Sequence, residues 1–279
     1  MQNFRKVSIL SVWGWLAIFA LTPIALVLIS SFFTPDNEHF IRLPATINNY
    51  AQLFNTVYLR ILLQSILLAT SCTIICLIIA YPFAYIVARI KSHYRFLLLL
   101  LIIIPFWTSS LIRTYAIIAI LKTKGILNSV LLMLGIIHHP LHILYSYTAV
   151  LIGTSYTLLP FMILPIYANL EKFDNSLIDA ARDLGAGKFR IFVEIILPLS
   201  TPGIIAGSIL VFLPAMTMFY IPVLLGGAKD LLLGNLIENE FLITNNWPMG
   251  AAISVFVILL MGLSAIAYRR NKGQKYEDL

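Results

Sequence analysis

Asp179-Ala180-Ala181-Arg182-Asp183-Leu184-Gly185, then nine residues, then Ile195-Ile196-Leu197-Pro198, is the stretch on which the reading of this chain turns. It is polar, yet it lies between two apolar runs, each long enough to cross a bilayer. Ser176-x-x-Asp179 reads as a capping-box-like helix start, with aspartate where Glu or Gln is usual. Leu177, Ala181 and Leu184 fall at i, i+4 and i+7 and form one apolar stripe, while Asp179, Arg182 and Asp183 point elsewhere. Gly185 is expected to end this helix as a left-handed C-terminal cap. A second short helix is expected to follow, with Phe189, Phe192, Val193 and Ile196 on one face, stopped by Pro198 and Pro202. A plain connector needs far less. Two amphipathic helices lose chain entropy and expose apolar stripes, which either a partner or the inner ends of the membrane helices must cover.

Outward from this loop the chain is apolar. Of its 279 residues, 60% are hydrophobic and only 11% are charged, against about 25% charged in a soluble domain. A bilayer core needs roughly 20 apolar residues per helix. Six stretches meet that length, at about 9–32, 61–88, 96–121, 146–169, 203–225 and 249–268. The expected fold is therefore all-α and polytopic, a single transmembrane domain over 1–279 with the polar loop at 171–202. The alternating ten-residue segments of a membrane β-barrel are absent from the sequence. The first run exceeds a signal-peptide core and no small-x-small cleavage site follows it, so it reads as a retained helix. Residues 126–137 are apolar but short, and fit an outer interfacial helix better than a span. Cys72 and Cys76, one turn apart in the second run, read as small packing residues.

The net charge of +7 does not point to nucleic acid. Thirteen of the 19 Lys and Arg fall on one side of the six-helix arrangement, in the N-terminus, the 89–95 turn, the 171–202 loop and the C-terminus. This is the positive-inside bias, and it places both termini and the 171–202 loop in the cytoplasm. Prolines recur inside the apolar runs, at Pro82, Pro105, Pro160, Pro165 and Pro214. Each removes a helix hydrogen bond, and broken helices line many transport paths. Arg113 lies among apolar neighbours, where a charge demands a partner; a carboxylate or helix-end carbonyls would serve, on this chain or another.

Several enzymatic readings fail. Gly185-Ala186-Gly187-Lys188 hints at a phosphate loop, but that motif needs Gly at 182 and Ser or Thr at 189, where the chain has Arg182 and Phe189. His138-His139-Pro140-x-His142 has no carboxylate or cysteine beside it to complete a metal set. No HExxH or GxSxG occurs.

The quoted spacing resembles the EAA loop of binding-protein-dependent ABC importer permeases: Glu-Ala-Ala, three residues, Gly, nine residues, Ile-x-Leu-Pro. Every fixed position matches except that Asp179 replaces Glu. The resemblance extends to Pro105-Phe106-Trp107-Thr108-Ser109-Ser110-Leu111-Ile112-Arg113-x-Tyr115, to Leu158 through Pro165, to Leu213-Pro214-Ala215-Met216, and to Phe219-Tyr220 with Leu225-Gly226-Gly227. These segments are similar to the spermidine/putrescine permeases of that class. The resemblance implies a type I importer permease with a two-helix cytoplasmic coupling loop. Its partners would be a second homologous permease, two ATPase subunits and an extracytoplasmic polyamine-binding protein. The setting would be a bacterial inner membrane. No cofactor would bind this chain; ATP and Mg would bind the ATPase partner. Coupling would fall to Asp179, Ala180, Ala181 and Gly185, with Arg182 and Leu184 beside them.

For a polyamine path the same resemblance makes aromatic faces and carboxylates the groups of interest, through cation–π contacts and charge pairing. The residues in question are Trp107, Tyr115, Tyr156, Phe219, Tyr220 and Trp247, with Arg113 fixing a gate and Asp230, Glu238 and Glu240 at the outer mouth. Trp and Tyr also favour membrane interfaces for their own sake. Related frames carry other solutes, and a gated channel or scaffold that needs no nucleotide is the rival from another class.

Overall fold

Proline and the shortage of water-exposed polar groups shape the helices. The computed structural model describes residues 2–35, 45–174, 176–227 and 231–277, and every element of regular structure formed by them is a helix. Among the described residues, five helical runs are long and apolar enough to cross a membrane: Ser11–Ser30, Thr56–Arg89, Ser110–Met133, Tyr147–Leu170 and Lys188–Thr217. Two shorter apolar helices cover His93–Trp107 and Trp247–Gly262.

The run expected to be continuous over 96–121 is broken. Helix α4 (Ser92–Ile103) tightens into a 3-10 turn at Ile104–Trp107, and α5 (Ser110–Leu121) begins afresh. Pro105 has no N–H to continue the ladder. Thr108 is extended at φ −84° and ψ 149°. Its hydroxyl and amide both donate to the Pro105 carbonyl, at 2.7 and 3.3 Å, so the break leaves that acceptor satisfied. A short helix forms within the apolar stretch 126–137, as α6 (Ile126–Met133).

The fifth run also differs from expectation. Pro198 and Pro202 do not stop a helix. The backbone stays helical from Lys188 to Thr217, through α9 (Lys188–Ile191), a π-turn at Phe192–Ile196, and α10 (Leu197–Thr217). The π-turn closes with Leu197 N–H on the Phe192 carbonyl, immediately before Pro198. The break comes later, at Met218 (φ −67°, ψ 130°), before α11 (Tyr220–Gly226).

The contacts divide the chain into two compact units. The unit formed by 1–61 and 236–279 contains α1 (Gln2–Ser30), α2 (Asn48–Gln52) and α13 (Trp247–Glu277), and α13 packs on both of the others. Asn49 is buried there and its amide donates to the Ser31 and Phe33 carbonyls at 3.0 and 2.8 Å, pinning the end of α1. Most of the described apolar side chains of α1, Trp13, Trp15 and Phe19 among them, are exposed, as a lipid-facing helix requires.

The second unit, 62–235, is centred on α7 (Tyr147–Leu170) against α10. Gly203 permits this contact. A Cβ there would lie 2.8 Å from Asn169 Cβ and 2.9 Å from the Pro165 carbonyl oxygen. Small residues at such crossings let helices approach where lipid offers no hydrophobic drive. Leu68, Ile117, Val150, Ile221 and Leu225 form a buried cluster that adds α3 (Thr56–Arg89), α5 and α11 to the same core. Cys72 and Cys76 are free and buried, and both touch Ser155, the packing role expected of them.

Candidate functional site

The loop opens on α8 (Ser176–Asp183). Its start differs from the expected capping box: the Ser176 amide donates to the Asp174 carboxylate at 2.9 Å, so Asp174 supplies the capping oxygen. The Ser176 donors hold the Asp174 carboxyl below the usual aspartate range. Its end is as expected. Gly185 is left-handed at φ +81°. Its amide donates to the Arg182 carbonyl at 2.9 Å and that of Ala186 to the Ala181 carbonyl at 3.0 Å, the paired bonds of a Schellman cap.

Ile178 is the buried residue of α8. The stripe of Leu177, Ala181 and Leu184 is not the seated face: Leu184 is 88% exposed and Leu177 49%, with Ala181 half-buried. Asp179 and Ala180 are exposed, and Asp179 pairs with Arg182 across one turn at 3.1 Å. Among the described residues, the outer face of α8 is therefore left open. The second short helix does not keep the expected face either. Ile191 and Ile196 are buried while Phe189 is 80% exposed, because the π-turn adds a residue and shifts the register.

Behind α8 lies a cavity of about 490 Å³. Tyr85 and Arg89 of α3, Arg95 of α4, Glu171 after α7, and Asp179 and Arg182 of α8 supply its polar wall. Arg95 binds Glu171 at 2.8 Å and the Ala88 and Ile90 carbonyls at 3.0 and 3.3 Å, tying the end of α3 to the end of α7. The Arg89 guanidinium stacks on Tyr85 at 3.6 Å. Sequence reasoning counted Arg89 and Arg95 only as topological charge. Their convergence with Glu171 is set by tertiary packing that no local pattern encodes.

The breaks gather the other residues. Arg113 sits one turn into α5 with its guanidinium over the Phe106 ring at 4.8 Å, and Phe106 meets Phe161 of α7 edge-on at 5.2 Å. Among the described residues no carboxylate makes an ion pair with Arg113, and its Nε is buried without a hydrogen bond. Trp107 is 85% exposed in the same break. At the other break Phe219 and Tyr220 are edge-on at 6.0 Å, and Asn235 donates to the Phe219 carbonyl at 2.9 Å. Tyr115 and Tyr156 are exposed on α5 and α7. Glu238 is half-buried at the end of α12 (Leu233–Glu238). Glu240 is buried in a second π-turn, where Thr244 donates to its carboxylate at 3.0 Å. Trp247 opens α13 and is 39% exposed. Asp230 lies outside the described residues.

Comparison with known proteins agrees with this architecture. Residues 80–272 match the family model of the binding-protein-dependent transport system inner membrane component. The spermidine/putrescine transport system permease protein PotB of Haemophilus influenzae is 51% identical over 272 residues, 97% of this chain and 95% of that protein. PotB of Escherichia coli is 47% identical, over 94% of this chain and 95% of that protein. A chain from the crystal structure of a bacterial ABC transporter that imports the acidic polysaccharide alginate superimposes with TM-score 0.76, covering 96% of this chain and 95% of that one. At 15% identity it shares the fold. By these matches the chain belongs to the family of inner membrane components of binding-protein-dependent transport systems.

Proposed function

We propose that this chain is a transmembrane subunit of an ATP-driven importer that moves spermidine and putrescine into the cytoplasm. The observation that carries the reading is the similarity, over nearly the whole chain, to permeases named for spermidine/putrescine transport. The open outer face of α8 supports it independently, since a helix seated mainly through Ile178 offers its exposed face to a partner. The chain works as one permease domain with six spans, both termini in the cytoplasm of a bacterial cell. It pairs with a second homologous permease, two ATPase subunits that bind ATP and Mg, and an extracytoplasmic polyamine-binding protein.

In this reading ATP binding closes the ATPases and pulls α8 through Asp179, Ala180, Ala181, Arg182, Leu184 and Gly185. The pull passes through Ile178 and the Arg95–Glu171 tie to the inner ends of α3 and α7. The π-turn lies between α9 and the tightly packed α7–α10 pair, so α10 moves with the loop rather than unwinding from it. The bundle then rocks between inward- and outward-facing states. The breaks at 104–109 and 218–219 present Trp107, Phe219 and Tyr220 to a flexible polycation through cation–π contacts, with Tyr115 and Tyr156 along the path. Arg113, spread over Phe106, holds the first break and gates it. Asp230 and Glu238 attract cations at the outer mouth.

The test is reconstitution with the partner subunits and measurement of labelled putrescine and spermidine uptake. ATP-dependent uptake, competed by unlabelled polyamines alone, is expected. Uptake that persists with non-hydrolysable ATP would sink the importer reading in favour of a channel. ATP-dependent uptake competed by a different solute would sink the polyamine assignment and leave the importer standing.

A further inference from the structure

The cavity behind α8 holds one charge, Arg89, that the proposed transport cycle does not use. Three guanidinium groups, Arg89, Arg95 and Arg182, line it against two carboxylates, Glu171 and Asp179. Both carboxylates are already engaged, Glu171 by Arg95 at 2.8 Å and Asp179 by Arg182 at 3.1 Å. Among the described residues Arg89 has an aromatic face and no carboxylate partner. Arg95 Nε is buried with no hydrogen-bond partner. A half-open space with one uncompensated cation and an orphaned guanidinium donor is matched by an anion. Arginine's planar fork suits tetrahedral oxyanions in particular. A polyamine would enter against the net charge.

We propose that this cavity is a binding site for a phosphate group, carried by an anionic lipid headgroup or by free phosphate. The position fits both sources. Arg89 ends a membrane-crossing helix, where basic pockets between helices meet headgroups, and the mouth opens beside a polar loop. A bound phosphate bridges the end of α3 to α8 and stiffens the seat on which α8 rests. The binding site stands on the cavity alone; only its consequence for transport rests on the coupling role proposed for α8.

The full-length chain in neutral detergent tests it without any transport assay. Thermal midpoints are measured with added phosphatidylglycerol, phosphatidylcholine, inorganic phosphate or putrescine, and retained lipids are counted by native mass spectrometry. Phosphatidylglycerol is expected to raise the midpoint above phosphatidylcholine by about 2–4 °C. Inorganic phosphate reproduces the shift if the source is soluble and fails to if it is lipid. Arg89→Gln should weaken the retained anion about tenfold. Lys91→Gln removes the same charge close by, from a residue that does not line the cavity, and should leave retention unchanged. Arg89→Lys, which keeps the charge without the fork, should fall between wild type and Arg89→Gln, and serves if Arg89→Gln does not fold. The site is refuted if wild type prefers neither anion over phosphatidylcholine, if putrescine stabilises in their place, or if Lys91→Gln matches Arg89→Gln and so reveals mere surface attraction.

Discussion

An added Cβ at Gly203, in the α7–α10 contact, would meet Asn169 at 2.8 Å and the Pro165 carbonyl at 2.9 Å. At Gly185, where α8 ends, it would meet nothing within 4 Å, and the restriction is a φ of +81°. Glycine is needed at the first for lack of space and at the second for conformation. The α7–α10 contact is thus finished within the chain, with backbone against backbone. The end of α8 fixes only a direction, and the volume beside it is left for something else. A packed core and the docking element proposed for α8 differ in this way: one is complete alone, the other is an angle held ready.

The largest effect is expected where space is the constraint. Gly203→Leu must move backbone rather than a flexible side-chain tip, so a loss of about 3 kcal/mol is expected, seen as a fall in monodisperse yield and thermal midpoint. A normally folded Gly203→Leu protein would show that α7 and α10 can separate cheaply, and would remove the rigid half of the comparison. Gly185→Leu comes next. Forcing a side chain into the left-handed region costs about 1–2 kcal/mol, too little to unfold the protein but enough to redirect the chain after α8. ATP-coupled uptake should fall at least tenfold (about 1.4 kcal/mol), with affinity for the extracytoplasmic binding protein unchanged. Coupled uptake at the wild-type rate in this variant would refute the role given to the cap.

Gly185→Asn sharpens the point, because asparagine visits the left-handed region far more readily than leucine. It should recover most of the uptake lost by Gly185→Leu. If both variants are equally inactive, the requirement at 185 is a lack of side chain facing a partner, and conformation is not the reason.

The sequence made α8 and its cap legible because both are local: a glycine at the end of an amphipathic stretch states its own conformation. The long apolar runs were legible for the same reason. The breaks were not. Pro105 reads the same whether it kinks a membrane helix or ends it, since freed carbonyls can be re-satisfied, as Thr108 does here. At Met218–Phe219 neither Gly nor Pro marks the spot where α10 stops. The π-turn at Phe192–Ile196 defeated the face drawn through Phe189, Phe192, Val193 and Ile196, because a 3.6-residue reading slips across an inserted residue. The cavity was invisible because its polar wall joins residues as far apart as Arg95 and Glu171, and Phe106 under Arg113 was hidden by the break between them.

The start of α8 extends the comparison to its smallest expected effect. Asp174 caps the helix from outside, and the donors of Ser176 hold its carboxyl below the ordinary aspartate range. A carboxyl depressed in the folded state stabilises it fully above the unfolded value, roughly 3.9, and loses that contribution as pH falls through the lower folded value. The cap is therefore intact at neutral pH and fails only in acid. Asp174→Asn keeps an acceptor oxygen and removes the charge, so amide exchange in α8 should be slightly faster than wild type at pH 7. The two proteins should converge in acid, once the wild-type carboxyl is protonated as well. Equal exchange in the two proteins at pH 7 would mean that the charge is irrelevant and the oxygen alone caps. The effect must be small because Asp174 is exposed and water screens it. That makes it the counterpart of Gly185: both ends of α8 are fixed by local chemistry in open space, and neither draws on the packed core that Gly203 permits.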